Sequence, residues 1–275
     1  MTLPDDFPRD VAAVACDLDR TLIGEDGVLR PRSLAAIAAV RAAGIPFLIV
    51  TGRMFRSVLP YALAAGLEEP VVCYQGGAVV EPRTGAFLLH EPIPLELARE
   101  TIAAVEAEGF RLNCYVDDEL YVAEITEHAR AYADFQHIPI TPVGPLVDWL
   151  EVPPTKLVAV DAPEALDRLK PRLEARFGGR LFIAKSLPYF LEFASPHVSK
   201  GSGLGFVAAH LGFDLAHTVA FGDGENDVEL LDAAGYAIAV ENADDGLKAR
   251  ADWVCPAVTD EGVALVLEAY LDSRP

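Results

Sequence analysis

The 275-residue sequence has few cysteines, and none occurs in a pattern typical of a zinc site or a disulfide framework. The four thiols, at Cys16, Cys73, Cys114 and Cys255, are widely scattered, and three of them lie in apolar, strand-like runs. This usage is typical of reduced, buried thiols in a cytoplasmic protein. We therefore expect a cytoplasmic location and neither bound zinc nor disulfides.

Long apolar runs and positive charge are also scarce. The most apolar long region, residues 34–50, contains Arg41, Gly44 and Pro46, so it predicts a helix followed by a strand and not a membrane span. The N-terminus does not have the basic and then apolar layout of a signal peptide. With 22 Lys and Arg against 42 Asp and Glu, the formal net charge is −20. A field of that sign repels nucleic acid and anionic membranes, and we expect neither as a partner.

Several catalytic motifs are missing. The sequence contains no GxxxxGK[ST] loop, no HExxH pair and no GxSxG elbow, which argues against a P-loop nucleotidase, a zinc protease and a serine hydrolase of the α/β type. Neither aspartate-rich stretch has the glycine that an EF-hand calcium loop needs at its sixth position. The chemistry of this chain therefore has to come from other residues.

Both ends of the chain alternate short apolar strands with helical patterns, which predicts a parallel sheet covered on both faces. Between them lie two predicted hairpins, turning at "PRTG" and "DD", mixed with helices. The Pro-rich stretches "IPITPVGP" and "VPPT" are predicted loops. We predict an α/β fold: a Rossmann-like parallel-sheet core, residues 1–83 plus 191–275, with an inserted α+β cap domain at 84–190.

Four polar stretches lie at predicted strand ends or at the start of a helix. They are "DLD" at 17–19, "TGR" at 51–53, "KG" at 200–201 and "GDGEND" at 222–227. In open α/β sheets, ligands bind beyond the carboxyl ends of the strands. Three of these stretches therefore converge on one crevice, which the fourth can reach from a helix N-terminus.

These residue types suit phosphoryl transfer. One carboxylate can attack phosphorus, and a second carboxyl group can protonate the leaving oxygen and later deprotonate water. Two anions approach a phosphate dianion only with compensation, which Mg²⁺ supplies through oxygen ligands. Thr51 Oγ, the neighbouring backbone N–H groups and the Lys200 ammonium would hold the phosphoryl oxygens. Cys16, beside Asp17, is a weaker candidate nucleophile, since no arginine-bearing phosphate loop follows it.

Four ordered stretches, "DLDRTL", "TGR", "SKGSGL" and "FGDGENDVELL", resemble the motifs of haloacid dehalogenase-superfamily phosphatases of the Cof type, which carry a large α/β cap of class IIB. The resemblance runs along nearly the whole chain and implies a role for each matching residue. Asp17 would be the nucleophile and Asp19 the general acid/base. Mg²⁺ would be held by Asp17, the backbone carbonyl of Asp19 and Asp223, the phosphate by Thr51, Gly52, Lys200 and Asn226, and Asp227 would support the metal shell or Lys200.

The sequence departs from the family pattern at a few positions. Arg20 stands where the family usually has Gly, Gln75 where many relatives have Asn, and Glu241-Asn242 replaces a commoner Met-Gly-Asn run. Arg20 either faces solvent or adds positive charge at the rim of the crevice. None of these changes removes a predicted catalytic group, so they bear on substrate and not on reaction.

We therefore predict a Mg²⁺-dependent phosphatase of small phosphomonoesters, such as sugar phosphates or phosphorylated cofactors, that acts through an aspartyl-phosphate. The expected partner is a small phosphorylated metabolite, and the sequence leaves open whether the protein is a monomer or a dimer. A phosphomutase would use the same intermediate but return the phosphoryl group to substrate. A non-catalytic phospho-accepting switch is a further alternative, against which Asp19 argues, since an acid/base would hasten hydrolysis of the acyl phosphate.

Overall fold

The computed structural model describes residues 1–274, and it has the predicted alternation of strands and helices at both ends of the chain. The strands are β1 (Ala13–Cys16), β2 (Phe47–Ile49), β3 (Val71–Cys73), β4 (Ala78–Val80), β5 (Phe87–His90), β6 (Leu112–Val116), β7 (Glu119–Val122), β8 (Thr141–Pro142), β9 (Lys156–Val160), β10 (Phe182–Leu187), β11 (Phe190–Ala194), β12 (Thr218–Gly222), β13 (Tyr236–Val240) and β14 (Trp253–Cys255). The helices are α1 (Pro31–Ala42), α2 (Phe55–Ala64), α3 (Leu95–Ala107), α4 (Glu127–Gln136), α5 (Leu146–Trp149), α6 (Pro163–Phe177), α7 (Lys200–Leu211), α8 (Val228–Ala233), α9 (Asp245–Lys248) and α10 (Gly262–Ser273).

A five-stranded sheet in the order β14-β13-β12-β1-β2 forms the centre of the fold, and all its neighbouring strands are parallel. Every residue of β1, β2, β12 and β13 is buried, as in a parallel sheet covered on both faces. A single bridge between Val50 and Val72 links the end of β2 to β3. The predicted parallel α/β core is confirmed.

The second sheet has six strands in the order β10-β11-β9-β6-β7-β8, antiparallel except for β7 with β8. The hairpin predicted at "DD" joins β6 to β7, and both Asp117 and Asp118 have positive φ, 51° and 56°. Such two-residue turns need positive φ at both positions, which Asp tolerates. The prediction of a loop at 141–142 is wrong, because these residues form β8. Pro142 fits there because an edge strand can do without its N–H.

The other predicted hairpin, β4 with β5, is also present, but it pairs with β3 in a small antiparallel sheet. The division at residues 84 and 190 stays a prediction. Since β5 pairs with β4 and β11 pairs with β9, the sheets favour boundaries just after His90 and just after Ala194.

The inserted sheet and helix α4 pack against the parallel-sheet unit through aromatic side chains. Tyr115, Tyr132 and Phe190 belong to the same buried cluster as the core residue Tyr74, and the Tyr74 and Tyr115 rings meet edge to face at 5.9 Å. The other face of the inserted sheet has its own apolar core with α3 and α6. All four cysteines are free and buried. Among residues 1–274, no helix combines the length and apolarity needed to cross a membrane.

Candidate active site

The predicted residues converge where the carboxyl ends of the central strands face the inserted sheet. Asp17 directly follows β1, Asp223 directly follows β12, and Lys200 is the first residue of α7. A cavity lies between the two sheets. It is lined by five of the predicted residues, Asp17, Asp19, Thr51, Gly52 and Asn226.

Lys200 lies between two carboxylates. Its Nζ donates to Asp17 Oδ1 and to Asp227 Oδ1, each at 2.5 Å, and all three side chains are buried. Burial, followed by the charge of Asp227, raises the pKa of Asp17 well above its usual range, and Lys200 opposes that shift. For Lys200 itself burial acts to lower the pKa, but the two carboxylates outweigh it and raise the pKa. The lysine thus stays charged and partly neutralises the candidate nucleophile.

The helix that begins at Lys200 has its own cap, so the lysine is free to point at the acids. Ser199 Oγ accepts a hydrogen bond from Ser202 N at 3.1 Å, and Ser202 Oγ accepts one from Ser199 N at 2.8 Å. This reciprocal pair satisfies backbone donors at the helix N-terminus without a bound anion. The cap fixes the start of α7 beside the crevice.

Asp223 has one carboxylate oxygen with a hydrogen bond and one without. Its Oδ1 accepts from Thr21 Oγ1 at 3.2 Å, whereas Oδ2 is buried with no hydrogen-bond donor. Burial, followed by the charge of Asp227, raises the pKa of Asp223 to about 7. Carboxylate oxygens of Asp17, Asp223 and Asp227 lie within 4.8 Å of one another. An unsatisfied oxygen within a cluster of acids fits a divalent cation that takes oxygen ligands.

Asp227 is engaged mostly with the protein. Its Oδ2 accepts from the backbone N–H groups of Asp223 and Gly224, at 2.9 and 3.0 Å, while Oδ1 accepts from Lys200. These contacts hold the loop after β12 in place. These contacts support a positioning role for Asp227. They leave Asp17 and Asp223 as the side chains whose carboxylate oxygens could bind a metal.

Asp19 contacts a residue to which the sequence analysis gave no role. Arg53 donates to it twice, from Nε to Oδ2 at 2.8 Å and from Nη2 to Oδ1 at 2.6 Å. The guanidinium is buried between the rings of Tyr61 and Phe135, at 5.4 and 5.0 Å from their centroids. The sequence position of Arg53, directly after two predicted phosphate-binding residues in "TGR", could have indicated that it belongs to the site. This bidentate pair fixes the candidate acid/base at the cavity wall.

Thr51 and Gly52 form a tight turn beside the cavity. Thr51 Oγ1 accepts from Arg53 N at 3.1 Å, and a Cβ at Gly52 would lie 2.3 Å from Gln75 Nε2. A side chain at position 52 would therefore displace the Gln75 amide from its hydrogen bonds to Asn226 and Glu192. Gln75 Oε1 in turn accepts from Asn226 Nδ2 at 3.1 Å, so the residue at one of the family departures connects two of the predicted phosphate-binding segments.

Charged residues of the inserted sheet complete the cavity, and the sequence analysis missed them. Glu192 on β11 accepts from Gln75 Nε2 at 2.8 Å, from Lys156 Nζ at 3.2 Å and from Ser186 Oγ at 2.6 Å. Lys156 also donates to the carbonyl oxygen of Gly52 at 2.5 Å. Burial lowers the pKa of Lys156, and the charge of Glu192 opposes that shift. Both residues could have been noticed in the sequence, because a lysine and a glutamate are unusual in the apolar runs "KLVAV" and "FLEFA".

Cys16 is not a nucleophile. Its thiol is fully buried and donates to the carbonyl oxygen of Asp17 at 3.0 Å. Burial, followed by the charge of Asp17, raises the pKa of Cys16 well above its usual range, so the reactive thiolate is disfavoured.

The four sequence motifs lie together at one edge of the parallel sheet, and a large inserted sheet faces them across the cavity. This arrangement is typical of one class of hydrolases. A model of the haloacid dehalogenase-like hydrolases matches residues 14–267, and the chain belongs to that family. It is a phosphoric monoester hydrolase of the Cof type, as predicted from the sequence.

Similar proteins match over almost their whole length. The pyridoxal phosphate phosphatase YbhA of Escherichia coli is 30% identical over 94% of this chain and 98% of its own. The 5-amino-6-(5-phospho-D-ribitylamino)uracil phosphatase YitU of Bacillus subtilis is 25% identical over 94% and 96%. Among solved structures, TM0651 of Thermotoga maritima superposes with a TM-score of 0.80 at 30% identity, covering 94% of this chain and 97% of that one.

Proposed function

We propose that this chain is a Mg²⁺-dependent phosphatase that hydrolyses small phosphomonoesters, namely sugar phosphates or phosphorylated cofactors, through an aspartyl-phosphate on Asp17. The observation that supports this most strongly is the placement of Asp17, Asp19, Thr51 and Asn226 around one cavity, with Lys200 bonded to Asp17. The cytoplasmic location inferred from the cysteines stays a prediction.

In the first step, an Asp17 carboxylate oxygen attacks phosphorus while the bond between phosphorus and the ester oxygen breaks. Asp19 gives its proton to the leaving oxygen, which departs as an alcohol. To do so Asp19 has to share or leave its bidentate contact with Arg53, so we expect substrate entry to loosen that pair. Lys200, Thr51 Oγ1 and nearby backbone N–H groups stabilise the charge on the phosphoryl oxygens.

In the second step, Asp19 removes a proton from a water molecule. That water attacks phosphorus, the bond to Asp17 breaks, inorganic phosphate is released and the Asp17 carboxylate is regenerated. Asp17, Asp223 and the backbone carbonyl of Asp19 would hold Mg²⁺, which supplies positive charge against the repulsion between carboxylates and phosphate. Burial, followed by the charge of the neighbouring Asp227, raises the pKa of both Asp17 and Asp223, and a cation beside them would favour their charged forms.

The leaving group would occupy the part of the cavity formed by the inserted sheet and helix α4. Tyr132 and Phe190 supply an apolar wall, and Lys156, Ser186 and Glu192 supply polar groups. A small metabolite with one flat or apolar face and several polar edges fits such a lining. The names of the relatives, which include phosphatases of pyridoxal phosphate and of a phosphoribitylamino-uracil, support phosphorylated cofactors as well as sugar phosphates.

The test is phosphate release from a panel that includes pyridoxal phosphate and several sugar phosphates, with Mg²⁺ and with EDTA. We expect metal-dependent turnover that Asp17→Asn abolishes, whereas Asp272→Asn, which changes an exposed aspartate, keeps it. Full activity of Asp17→Asn would refute the assigned nucleophile. Little phosphate release combined with a requirement for a bisphosphate activator would favour a phosphomutase instead.

A further inference from the structure

The backbone at Arg20 adopts a conformation that is unusual for this residue type. Its φ is 60°, in the left-handed region that residues other than Gly, Asn and Asp rarely enter. Both backbone groups of Arg20 are hydrogen-bonded. Its N–H donates to the carbonyl oxygen of Ile23 at 2.7 Å, and its carbonyl oxygen accepts from Asn242 Nδ2 at 2.7 Å. Such strain at a reaction centre points to a function for the side chain.

The side chain of Arg20 turns toward the acids and not out to solvent. Its Nη2 donates to the carbonyl oxygen of Asn242 at 3.1 Å, and its Nη1 lies 3.4 Å from Asp223 Oδ2. The Arg20 side chain is 26% exposed and that of Asp223 only 6%. Within residues 1–274 this is the one ion pair of Asp223, and it involves the oxygen that has no hydrogen-bond donor. Of the two orientations considered from sequence, the structure has the one that adds charge at the crevice.

We propose that Arg20 is a built-in counter-ion that competes with the divalent cation for Asp223. The inference rests on the proposed role of Asp223 as a metal ligand. A guanidinium and a divalent cation that approach the same carboxylate oxygen repel each other, so binding of the metal requires Arg20 to withdraw. Conversely, the arginine offsets the repulsion among the buried acids when no metal is bound.

Arg20 has room to withdraw. It lines an open cleft next to the crevice, together with Glu25 and Asp244. If the Arg20 side chain turns into this cleft, it leaves the buried Asp223 carboxylate and meets solvent and the two acids of the cleft. The chain therefore weakens its own metal affinity and stabilises its metal-free form.

The test measures Mg²⁺ binding to the full chain by calorimetry and by thermal unfolding at constant ionic strength. Arg20→Asn removes the charge and tolerates the left-handed backbone. We expect its Mg²⁺ dissociation constant to fall about tenfold, its melting temperature in EDTA to drop, and the rise of melting temperature on adding Mg²⁺ to increase. Arg20→Lys, which keeps the charge, should stay closer to the wild type.

The matched control is Arg250→Asn, which removes a positive charge from an exposed pair with Asp232 on the same unit and should leave Mg²⁺ affinity unchanged. If Arg20→Asn fails to fold, Arg20→Gly removes the charge while relieving the backbone, and the same tightening is expected. Unchanged or weaker Mg²⁺ binding by the folded variant would overturn the competition while leaving the proposed function intact. Absence of Mg²⁺ binding in every protein, the wild type included, would overturn the proposed metal site as well.

Discussion

Helix α7 carries Lys200, and its glycines allow a matched test of how closely it must pack. A Cβ on Gly201 would lie 2.1 Å from the carbonyl oxygen of Glu229 and 2.8 Å from its carbonyl carbon, both backbone atoms of α8. A Cβ on Gly205, one helical turn further along α7, would meet nothing within 4 Å. We expect Gly201→Ala to be destabilising and Gly205→Ala to be stabilising.

The structure sets the magnitude of the difference. Because a backbone carbonyl cannot rotate away, α7 and α8 have to separate until the contact approaches the ordinary range of 3.4–4 Å. Overpacking of this kind costs about 1–3 kcal/mol. Alanine at either position gains up to about 1 kcal/mol over glycine through helix propensity, a gain that the two variants share. The free energies of unfolding should therefore differ by about 2 kcal/mol, which corresponds to roughly 4–8 °C in melting temperature.

Activity provides an independent measurement. Separating α7 from α8 moves Lys200 away from Asp227, which it now contacts at 2.5 Å. A displacement near 1 Å of a catalytic group can lower a rate about a hundredfold, so kcat of Gly201→Ala should fall at least about tenfold. Thermal and urea unfolding together with phosphate release measure both effects. Equal stability and equal kcat of the two variants would refute the packing argument.

Three further predictions concern the buried charges. Lys200→Met should abolish phosphate release and lower the free energy of unfolding by about 3–5 kcal/mol, because two buried carboxylates lose their cation; unchanged urea unfolding would contradict this. Mg²⁺ at a hundred times its dissociation constant should stabilise the wild type by about 2.7 kcal/mol in thermal unfolding, and Asp223→Asn should lose most of that gain. Glu192→Gln should destabilise by about 3–5 kcal/mol, since Lys156 is left buried without a carboxylate. Ser186→Ala, which removes one hydrogen bond to Glu192, should cost only about 1 kcal/mol, and equal losses for these two variants would show that the charge is unimportant.

The pair between Arg53 and Asp19 gives the resting site a defined geometry. The Arg53 side chain is 2% exposed and that of Asp19 21%, so the arginine is fixed and the aspartate faces the cavity. Packing of the guanidinium between two aromatic rings explains why a lysine would not replace it. The candidate acid/base Asp19 is thereby held at the wall of the cavity.

Sequence patterns predicted the local structure because its causes are local. The continuous apolar runs of β1 and β12, the turn at Asp117 and Asp118, and helix α6 follow from neighbouring residues. The same holds for the convergence of the motifs, since parallel strands place their carboxyl ends at one edge of the sheet. Residues 141–142 were missed because pairing with β7, and not their own composition, makes them a strand.

By itself the sequence determined the class of fold, the strand ends that carry Asp17, Asp19 and Asp223, and the phosphoryl-transfer chemistry that these residues suit. Only the tertiary structure decided the partners of the buried charges. Glu192 on β11 meets Lys156 on β9, 36 positions earlier, and Arg20, which follows β1, meets Asp223, which follows β12. No local pattern specifies such pairs, because a buried charge takes its counter-ion from whichever element the fold brings beside it.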